Sequence, residues 1–194
     1  MSSLHLEKKA IRALGIAESF RKDQPISTLA GVVIRSDLVI DGFGAGTLKV
    51  SGSDATSSVV KLYRNLKRND VNAVLISGSI LSLYNVLDID FLHESLGLPI
   101  IALSFNKARS DLASNIRARF SKKVANAKLA LLDKLGTADR IKLNTGYEVF
   151  VRSAGISQNI SKMLLDKFTL QGAIPEPIRV ARLLAKTIAP LRLS

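Results

Sequence analysis

The sequence predicts one mixed α/β domain with a five-stranded sheet, and three observations carry this prediction. Three strand-like segments come first, without a helical pattern between them, which is typical of an antiparallel meander. Helix-like and strand-like segments then alternate, as they do where crossover helices join parallel strands. The chain has 194 residues, of which 47% are hydrophobic and 23% charged, so it can build one globular core.

The meander includes a glycine-rich segment. Its three strands are expected at residues 11–17, 28–34 and 38–50. Gly42, Gly44 and Gly46 lie in the third strand and are followed by TLKV rather than by a helix start. Because a dinucleotide-binding loop needs a helix N-terminus for the pyrophosphate, we interpret these glycines as a strand bend or bulge.

The middle of the chain supplies the two strands that are expected to run parallel to the first. Ser53 is expected to cap the first helix. Apolar runs predict buried strands at 71–76 and 98–103, with a helix at 84–96 between them. Strands 1 to 3 are therefore expected to be antiparallel, and strands 4 and 5 to run parallel to strand 1.

The C-terminal part is expected to be helical, apart from one hairpin. Apolar residues at steps of three and four from 110 to 135 predict either one long helix or two helices broken near Ser121. Two short strands around Asn144-Thr145-Gly146 predict the hairpin. The last two helices are expected at 157–170 and 175–189, the second with prolines at its start.

The charge of the chain indicates a polyanionic partner. Its 28 Lys and Arg residues exceed its 16 Asp and Glu residues by 12, and the positive field of this excess favours nucleic acid as the partner over an anionic membrane surface. Half of the net charge lies in residues 107–134, with eight basic and two acidic residues. A solvated basic helix face is the alternative interpretation. The residues predicted to bind nucleic acid, most simply DNA, are Lys107, Arg109, Arg117, Arg119, Lys122, Lys123, Arg179 and Arg182.

The residue types that the chain lacks narrow its chemistry. It has no cysteine, which excludes disulfides, thiolate zinc sites and cysteine nucleophiles and is typical of an intracellular protein. Its apolar runs fall short of the ~20 residues that span a bilayer, and its first residues lack the apolar stretch of a signal peptide. We therefore expect a cytoplasmic protein with no membrane segment.

Carboxylates are the remaining candidates for metal-assisted chemistry. Cleavage of a phosphodiester with Mg²⁺ needs several carboxylates around one or two ions, which activate water and stabilise the leaving oxygen. Glu18 ends the first strand, Asp54 opens the first helix and Asp88 follows the fourth strand, so all three are expected near one sheet edge. We predict these three as catalytic residues, with Glu18 and Asp54 as Mg²⁺ ligands. Helix-capping and surface ion-pair roles are the alternatives.

Four segments of the chain carry a family resemblance. In order, they are LGIAESF, SGSDAT, GSILSLYNVLDI followed by LGLPIIAL, and GAIPEPIRVARLLA. They span nearly the whole chain and resemble the archaeal endonuclease dU family, which is related to endonuclease V. The resemblance implies a ribonuclease H-like fold, in which a three-stranded meander is followed by helix, strand, helix and strand. It also implies metal-dependent cleavage of deaminated or damaged DNA.

The chain departs from the family pattern at two positions where the resemblance implies acidic residues. The pattern GIDDG is replaced by Gly15-Ile16-Ala17-Glu18-Ser19, so Ala17 cannot ligate a metal, although Glu18 keeps the second acidic position. Ser77 stands where relatives have an acidic residue before Gly78. We therefore expect weakly bound Mg²⁺ and weak or absent nuclease activity. A non-catalytic nucleic-acid-binding protein on the same fold is the alternative function. A structural or partner-binding homodimer is a third possibility, and it predicts little affinity for nucleic acid at physiological salt.

Overall fold

The computed structural model describes residues 11–21, 23–106 and 111–190, and these contain nine strands and six helices. The strands are β1 (Arg12–Ser19), β2 (Ile26–Arg35), β3 (Ile40–Lys49), β4 (Ala73–Ser77), β5 (Ile80–Leu81), β6 (Asn85–Val86), β7 (Ile100–Ser104), β8 (Asp139–Lys142) and β9 (Glu148–Ala154). The helices are α1 (Ala55–Asn65), α2 (Ile89–Leu96), α3 (Leu112–Arg119), α4 (Lys122–Leu135), α5 (Gln158–Phe168) and α6 (Glu176–Ile188).

Seven of the strands form one mixed sheet in the order β3-β2-β1-β4-β7-β9-β8. β1, β2 and β3 are an antiparallel meander, and β4 and β7 run parallel to β1, as predicted. The predicted number of five strands was too small, because the C-terminal hairpin joins the sheet. β9 pairs antiparallel with β7 from Ile100↔Ala154 to Ser104↔Phe150, and so covers the edge that β7 would otherwise expose.

A small hairpin replaces the first turns of the helix predicted at 84–96. β5 and β6 pair antiparallel, and between them Ser82 and Leu83 adopt left-handed backbone conformations, with φ of 42° and 74°. Asn85 and Val86, which fall inside the predicted helix, are instead extended strand residues that pair with β5. α2 therefore begins only at Ile89, where Asp88 caps it by accepting from the Phe91 N–H at 3.0 Å.

The segment predicted as one helix or two consists of two, α3 and α4. Phe120 has an extended backbone, with φ of −118° and ψ of 155°, and ends α3. Ser121 takes the N-cap position of α4. The basic residues of this segment are therefore divided between two short helices that meet at a corner.

The helices lie in two layers, one on each face of the sheet. α1, α2 and α4 cover one face, where the core includes Leu14 and Ile16 of β1. α5 and α6 cover the other face, where the core includes Ala13 and Ala17. Alternate residues of β1 therefore meet different layers. None of the described helices has the length and apolar character that crossing a membrane requires.

Glycines allow close packing on both faces. A Cβ at Gly15 would lie 2.1 Å from the carbonyl carbon of Pro177, so only glycine lets the start of α6 rest on β1. The bulge predicted for the glycine-rich strand occurs at Asp41, just before Gly42, where the pairing of β2 with β3 skips one residue. Gly44 keeps the regular register and makes room for the Leu66 side chain instead.

Candidate functional site

The parallel strands end at one edge of the sheet, the edge where open α/β sheets bind ligands. β1, β4 and β7 end there at Ser19, Ser77 and Ser104. The pairing of Ile16 with Ile76 places Ala17 beside Ser77, one residue further along both strands. The two positions where the family resemblance implies acidic residues are therefore neighbours at this edge.

A guanidinium group from α6 lies against Ser77. Arg182 donates from Nε and Nη2 to the Ser77 Oγ at 3.0 and 2.7 Å, and its guanidinium carbon lies 4.5 Å from the centre of the Phe105 ring. Burial lowers the pKa of Arg182, yet a guanidinium stays charged in proteins. Within the described ranges, no carboxylate forms an ion pair with it.

This set of side chains does not fit a divalent metal ion. Mg²⁺ prefers carboxylate and other oxygen ligands. The neighbouring side chains of Ala17, Ser77 and Arg182 offer a methyl group, a hydroxyl group and a positive charge. Over the part of the chain that the structure describes, no three histidine or acidic residues are grouped so that they could hold a metal ion.

Glu18 anchors the turn between β5 and β6. Its carboxylate accepts hydrogen bonds from the Ser27 Oγ and the Ser82 backbone N–H, each at 2.8 Å, and from the Ser82 Oγ. β1 pairs regularly with β2 as far as Ser19, so Glu18 faces the α1 layer by simple strand alternation, like Ile16. Glu18 and Ala17 therefore point to opposite faces, and Glu18 does not occupy the position vacated at Ala17.

Asp54 contacts the same hairpin through a different residue. Its carboxylate accepts from the Lys49 N–H at 3.1 Å and from the Asn85 Nδ2 at 2.7 Å. Asn85 is fully buried, and its Oδ1 accepts from the Ala55 N–H at 2.9 Å. The N-cap residue of α1 is therefore Asp54 rather than the predicted Ser53, and the side-chain cap comes from Asn85.

A buried lysine, Lys128, completes the polar cluster around the hairpin. Its Nζ donates to the Gly52 and Tyr84 carbonyl oxygens, the latter at 2.8 Å, and lies 4.8 Å from the Phe120 ring centre. Burial lowers the pKa of Lys128, and the nearby charge of Asp54 opposes this shift. Sequence reasoning counted Lys128 within the basic stretch, but its exposed fraction is only 2%.

Asp88 takes part in a separate ion pair. Besides capping α2, it accepts from the Lys134 Nζ at 2.8 Å. Burial raises the pKa of Asp88, but hydrogen bonds from Lys134 and the Phe91 N–H outweigh it, so the pKa lies below its usual range. The three predicted catalytic carboxylates thus have three different sets of partners, and their catalytic role stays a prediction.

The α3–α4 basic surface consists of four exposed cations at the corner between these helices. Its members are Arg117, Arg119, Lys122 and Lys123. Among the described residues, none of the four has an ion-pair partner, and the Arg119 guanidinium lies 5.7 Å from the Tyr84 ring centre. Arg179 differs, since it donates to Glu176 at 2.8 Å. Lys107 and Arg109 lie outside the described residues, and nucleic-acid binding by the whole set stays a prediction.

A cavity of about 250 Å³ opens beside this surface. Leu83, Leu112, Leu132 and the Tyr84 ring line its apolar part, and Ser79, Ser104 and Arg152 line its polar part. Arg152 donates to the Gly136 carbonyl oxygen at 3.1 Å and lies 3.3 Å from the Ser79 Oγ. Burial lowers the pKa of Arg152. Sequence reasoning missed this residue, because a single arginine in a strand carries no recognisable pattern.

The meander, the parallel strands and the shared edge define a ribonuclease H-like fold. The fold is similar to that of endonuclease V from Ciona intestinalis, solved with a DNA containing an inosine followed by a ribo-adenosine. That match has a TM-score of 0.60 and 14% identity, and covers 96% of this chain and 88% of that chain. A protein of unknown function from Archaeoglobus fulgidus matches with a TM-score of 0.79 and 20% identity over 92% of this chain and 98% of that chain.

The chain belongs to the endonuclease dU family, whose model matches residues 9–189. A UPF0215 protein from Pyrobaculum calidifontis is 30% identical over 175 residues, which cover 90% of this chain and 95% of that relative. The family resemblance and the ribonuclease H-like fold expected from the four sequence segments are therefore confirmed.

Proposed function

We propose that this protein binds deaminated or damaged DNA and cleaves it weakly or not at all. Membership of the endonuclease dU family supports the substrate class, as does the inosine-containing DNA in the Ciona intestinalis structure. The observation that carries the proposal is the contact of Arg182 with Ser77, which puts a positive charge where the family resemblance implies metal-binding carboxylates. Such a site suits DNA binding better than metal-dependent hydrolysis.

The α3–α4 basic surface supports the binding step. Lysine and arginine side chains that contact phosphates release condensed counterions, and this release drives binding in a sequence-independent way. The four cations are exposed, and none of them forms an ion pair with a described carboxylate that would have to break before a phosphate binds. Phosphate contacts of this kind position a protein on DNA but do not select a base.

The cavity beside this surface is suited to bind a single base that is flipped out of the DNA double helix. Proteins that act on such a base hold it by stacking on aromatic or apolar side chains and by hydrogen bonds to its edge. The cavity offers the Tyr84 ring, leucine side chains and the guanidinium of Arg152. Deamination replaces an amino group, which donates hydrogen bonds, with a carbonyl oxygen, which accepts them. A donor such as Arg152 therefore favours uracil or hypoxanthine over the bases from which they form.

Fluorescence anisotropy tests the proposal with labelled DNA that is undamaged or carries one deoxyuridine or deoxyinosine. We expect affinity for all three at low salt, and about tenfold tighter binding of the deaminated DNA, as one charge-assisted hydrogen bond would give. Arg152→Leu should remove the preference but keep general affinity, whereas Arg140→Leu, which changes an exposed arginine paired with Glu148, should preserve both. Absence of DNA binding even at low salt would overturn the proposal and favour a partner-binding role.

A further inference from the structure

The guanidinium of Arg182 carries a charge that no described carboxylate balances. Arg12, Arg68, Arg140 and Arg179 each pair with an acidic side chain. Arg182 instead turns its Nε and Nη2 to one serine hydroxyl, which is neutral. A guanidinium has five N–H donors. In the described part of the chain, the three that remain, two on Nη1 and one on Nη2, have no hydrogen-bond partner.

The surroundings hold this guanidinium in one orientation. Phe105, directly after β7, lies under it, and Ser77, at the end of β4, fixes one of its edges. The helix that carries Arg182 is itself held against β1 by the close approach of Pro177 to Gly15. A side chain that is already ordered loses little conformational entropy when it binds a ligand.

We propose that Arg182 binds a phosphate group of DNA at this edge. Its guanidinium supplies the positive charge that a metal ion would supply in the site implied by the family resemblance. The inference rests on the proposed function, since it names the group by which the same edge holds DNA. The unused fork formed by Nη1 and Nη2 matches two oxygens of a phosphate in bidentate geometry. A guanidinium brings no bound water to activate, so it holds the phosphate without generating the nucleophile that a metal ion provides.

This assignment predicts how divalent cations affect binding. Where a metal ion bridges protein and phosphate, its removal by a chelator weakens DNA binding. Where Arg182 makes the contact directly, a chelator leaves binding intact, and added Mg²⁺ weakens it only by screening and by competing for phosphates. The dissociation constant at constant ionic strength, with EDTA or with Mg²⁺, therefore separates the two arrangements in the wild-type protein.

The direct test compares Arg182→Gln with Arg140→Gln, a control that removes the same charge from an exposed position far along the sheet in β8. In EDTA, we expect Arg182→Gln to weaken duplex binding about tenfold, as loss of a charge-assisted hydrogen-bond pair would. The log–log salt slope should fall by about 0.9, the value for one duplex phosphate contact. Arg140→Gln should leave both quantities unchanged.

A second variant covers the case in which Arg182→Gln does not fold. Ser77→Asp places a carboxylate on the guanidinium and leaves α6 unchanged, so it should weaken DNA binding in EDTA by a similar factor. Wild-type affinity and salt slope in either folded variant would overturn the role of Arg182 while the proposed function stands. Failure of the wild-type protein to bind DNA would overturn both.

Oligonucleotides with a 5′-hydroxyl or a 5′-phosphate identify the source of the phosphate. If the wild type binds both oligonucleotides with equal affinity and Arg182→Gln lowers both affinities equally, Arg182 contacts an internal phosphodiester. A preference for the 5′-phosphate that Arg182→Gln removes assigns the strand end. Both results support a phosphate site, and a 5′-phosphate preference that persists in Arg182→Gln would contradict it.

Discussion

Replacing Glu18 with alanine should destabilise the fold, because this carboxylate fastens the β5–β6 turn to the end of β1. In the wild type, it accepts from the Ser27 hydroxyl and from both the N–H and the hydroxyl of Ser82. Ser82 is almost fully buried and has a left-handed backbone, so its donors have few other acceptors. A metal ligand with no metal would behave oppositely, since removing an unpaired carboxylate relieves repulsion and desolvation.

The size of the effect follows from which donors lose their acceptor. Ser27 keeps a second partner, the Ser19 carbonyl oxygen at 3.1 Å. The N–H and the hydroxyl of Ser82 both lose theirs, and each buried unsatisfied group costs about 1–3 kcal/mol. We therefore expect Glu18→Ala to lower the free energy of unfolding by about 3 kcal/mol. Glu18→Gln keeps one acceptor oxygen and should cost about 1 kcal/mol.

Urea unfolding followed by far-ultraviolet circular dichroism, in EDTA, measures these changes. Glu94→Ala, at an exposed position of α2, is the matched control and should lie within about 0.5 kcal/mol of the wild type. Stability equal to or greater than wild type in Glu18→Ala would refute the anchoring role and support a ligand role for this carboxylate.

Three further predictions concern charge. Changing all four members of the α3–α4 basic surface to alanine should lower the salt slope of DNA binding by up to about 3.6 without lowering the unfolding temperature; an unchanged slope would contradict phosphate contact. Burial lowers the pKa of Lys128 in the folded state, so the unfolded state binds more protons at alkaline pH. The free energy of unfolding of the wild type, relative to that of Lys128→Met, should therefore rise from pH 7 toward 10, and urea unfolding at several pH values measures this change. The pKa of Asp88 lies below its usual 3.8, so its contribution is present above that pH and is lost as pH falls through the lowered pKa. Asp88→Asn should therefore cost up to about 1 kcal/mol at pH 7, and the cost should shrink as the pH falls below 3.8.

The order and direction of the central strands were predictable, because they follow from the period of apolar residues and from the rules for chain connection. The two additional strands were harder to place. The hairpin around Asn144 was recognised, but nothing local to it indicates that its second strand pairs with β7, more than 40 residues earlier. Such pairing depends on which sheet edge is free in the folded domain.

The start of α2 was misjudged for a local reason. Tyr84 and Leu87 continue the spacing of the helix that follows, yet Ser82 and Leu83 are left-handed without being glycine, so no turn residue marks the hairpin. Glu18 and Asn85 hold this conformation through tertiary hydrogen bonds. Tertiary contacts of this kind override local helical preference.

The candidate site could be predicted only in part. Its edge, its strand ends and the departures at Ala17 and Ser77 were visible in the sequence. The environment of each charged residue was not, because spacing does not distinguish an exposed cation from a buried one. Lys128 lies on the buried face of α4 with Ala125 and Leu135, and Arg182 lies against Ser77, from which 105 positions separate it along the chain.

Cleavage of bound DNA by the wild-type protein is the property that separates a binding protein from a nuclease most directly. The measurement is single-turnover cleavage of deoxyuridine- and deoxyinosine-containing DNA with Mg²⁺ or Mn²⁺, under conditions where anisotropy shows the DNA to be bound. We expect bound DNA with little or no product, and a gain of cleavage in Ala17→Asp combined with Ser77→Asp would fit the altered metal position. Robust wild-type turnover that Glu18→Gln abolishes would contradict the proposed function and make Glu18 a working metal ligand.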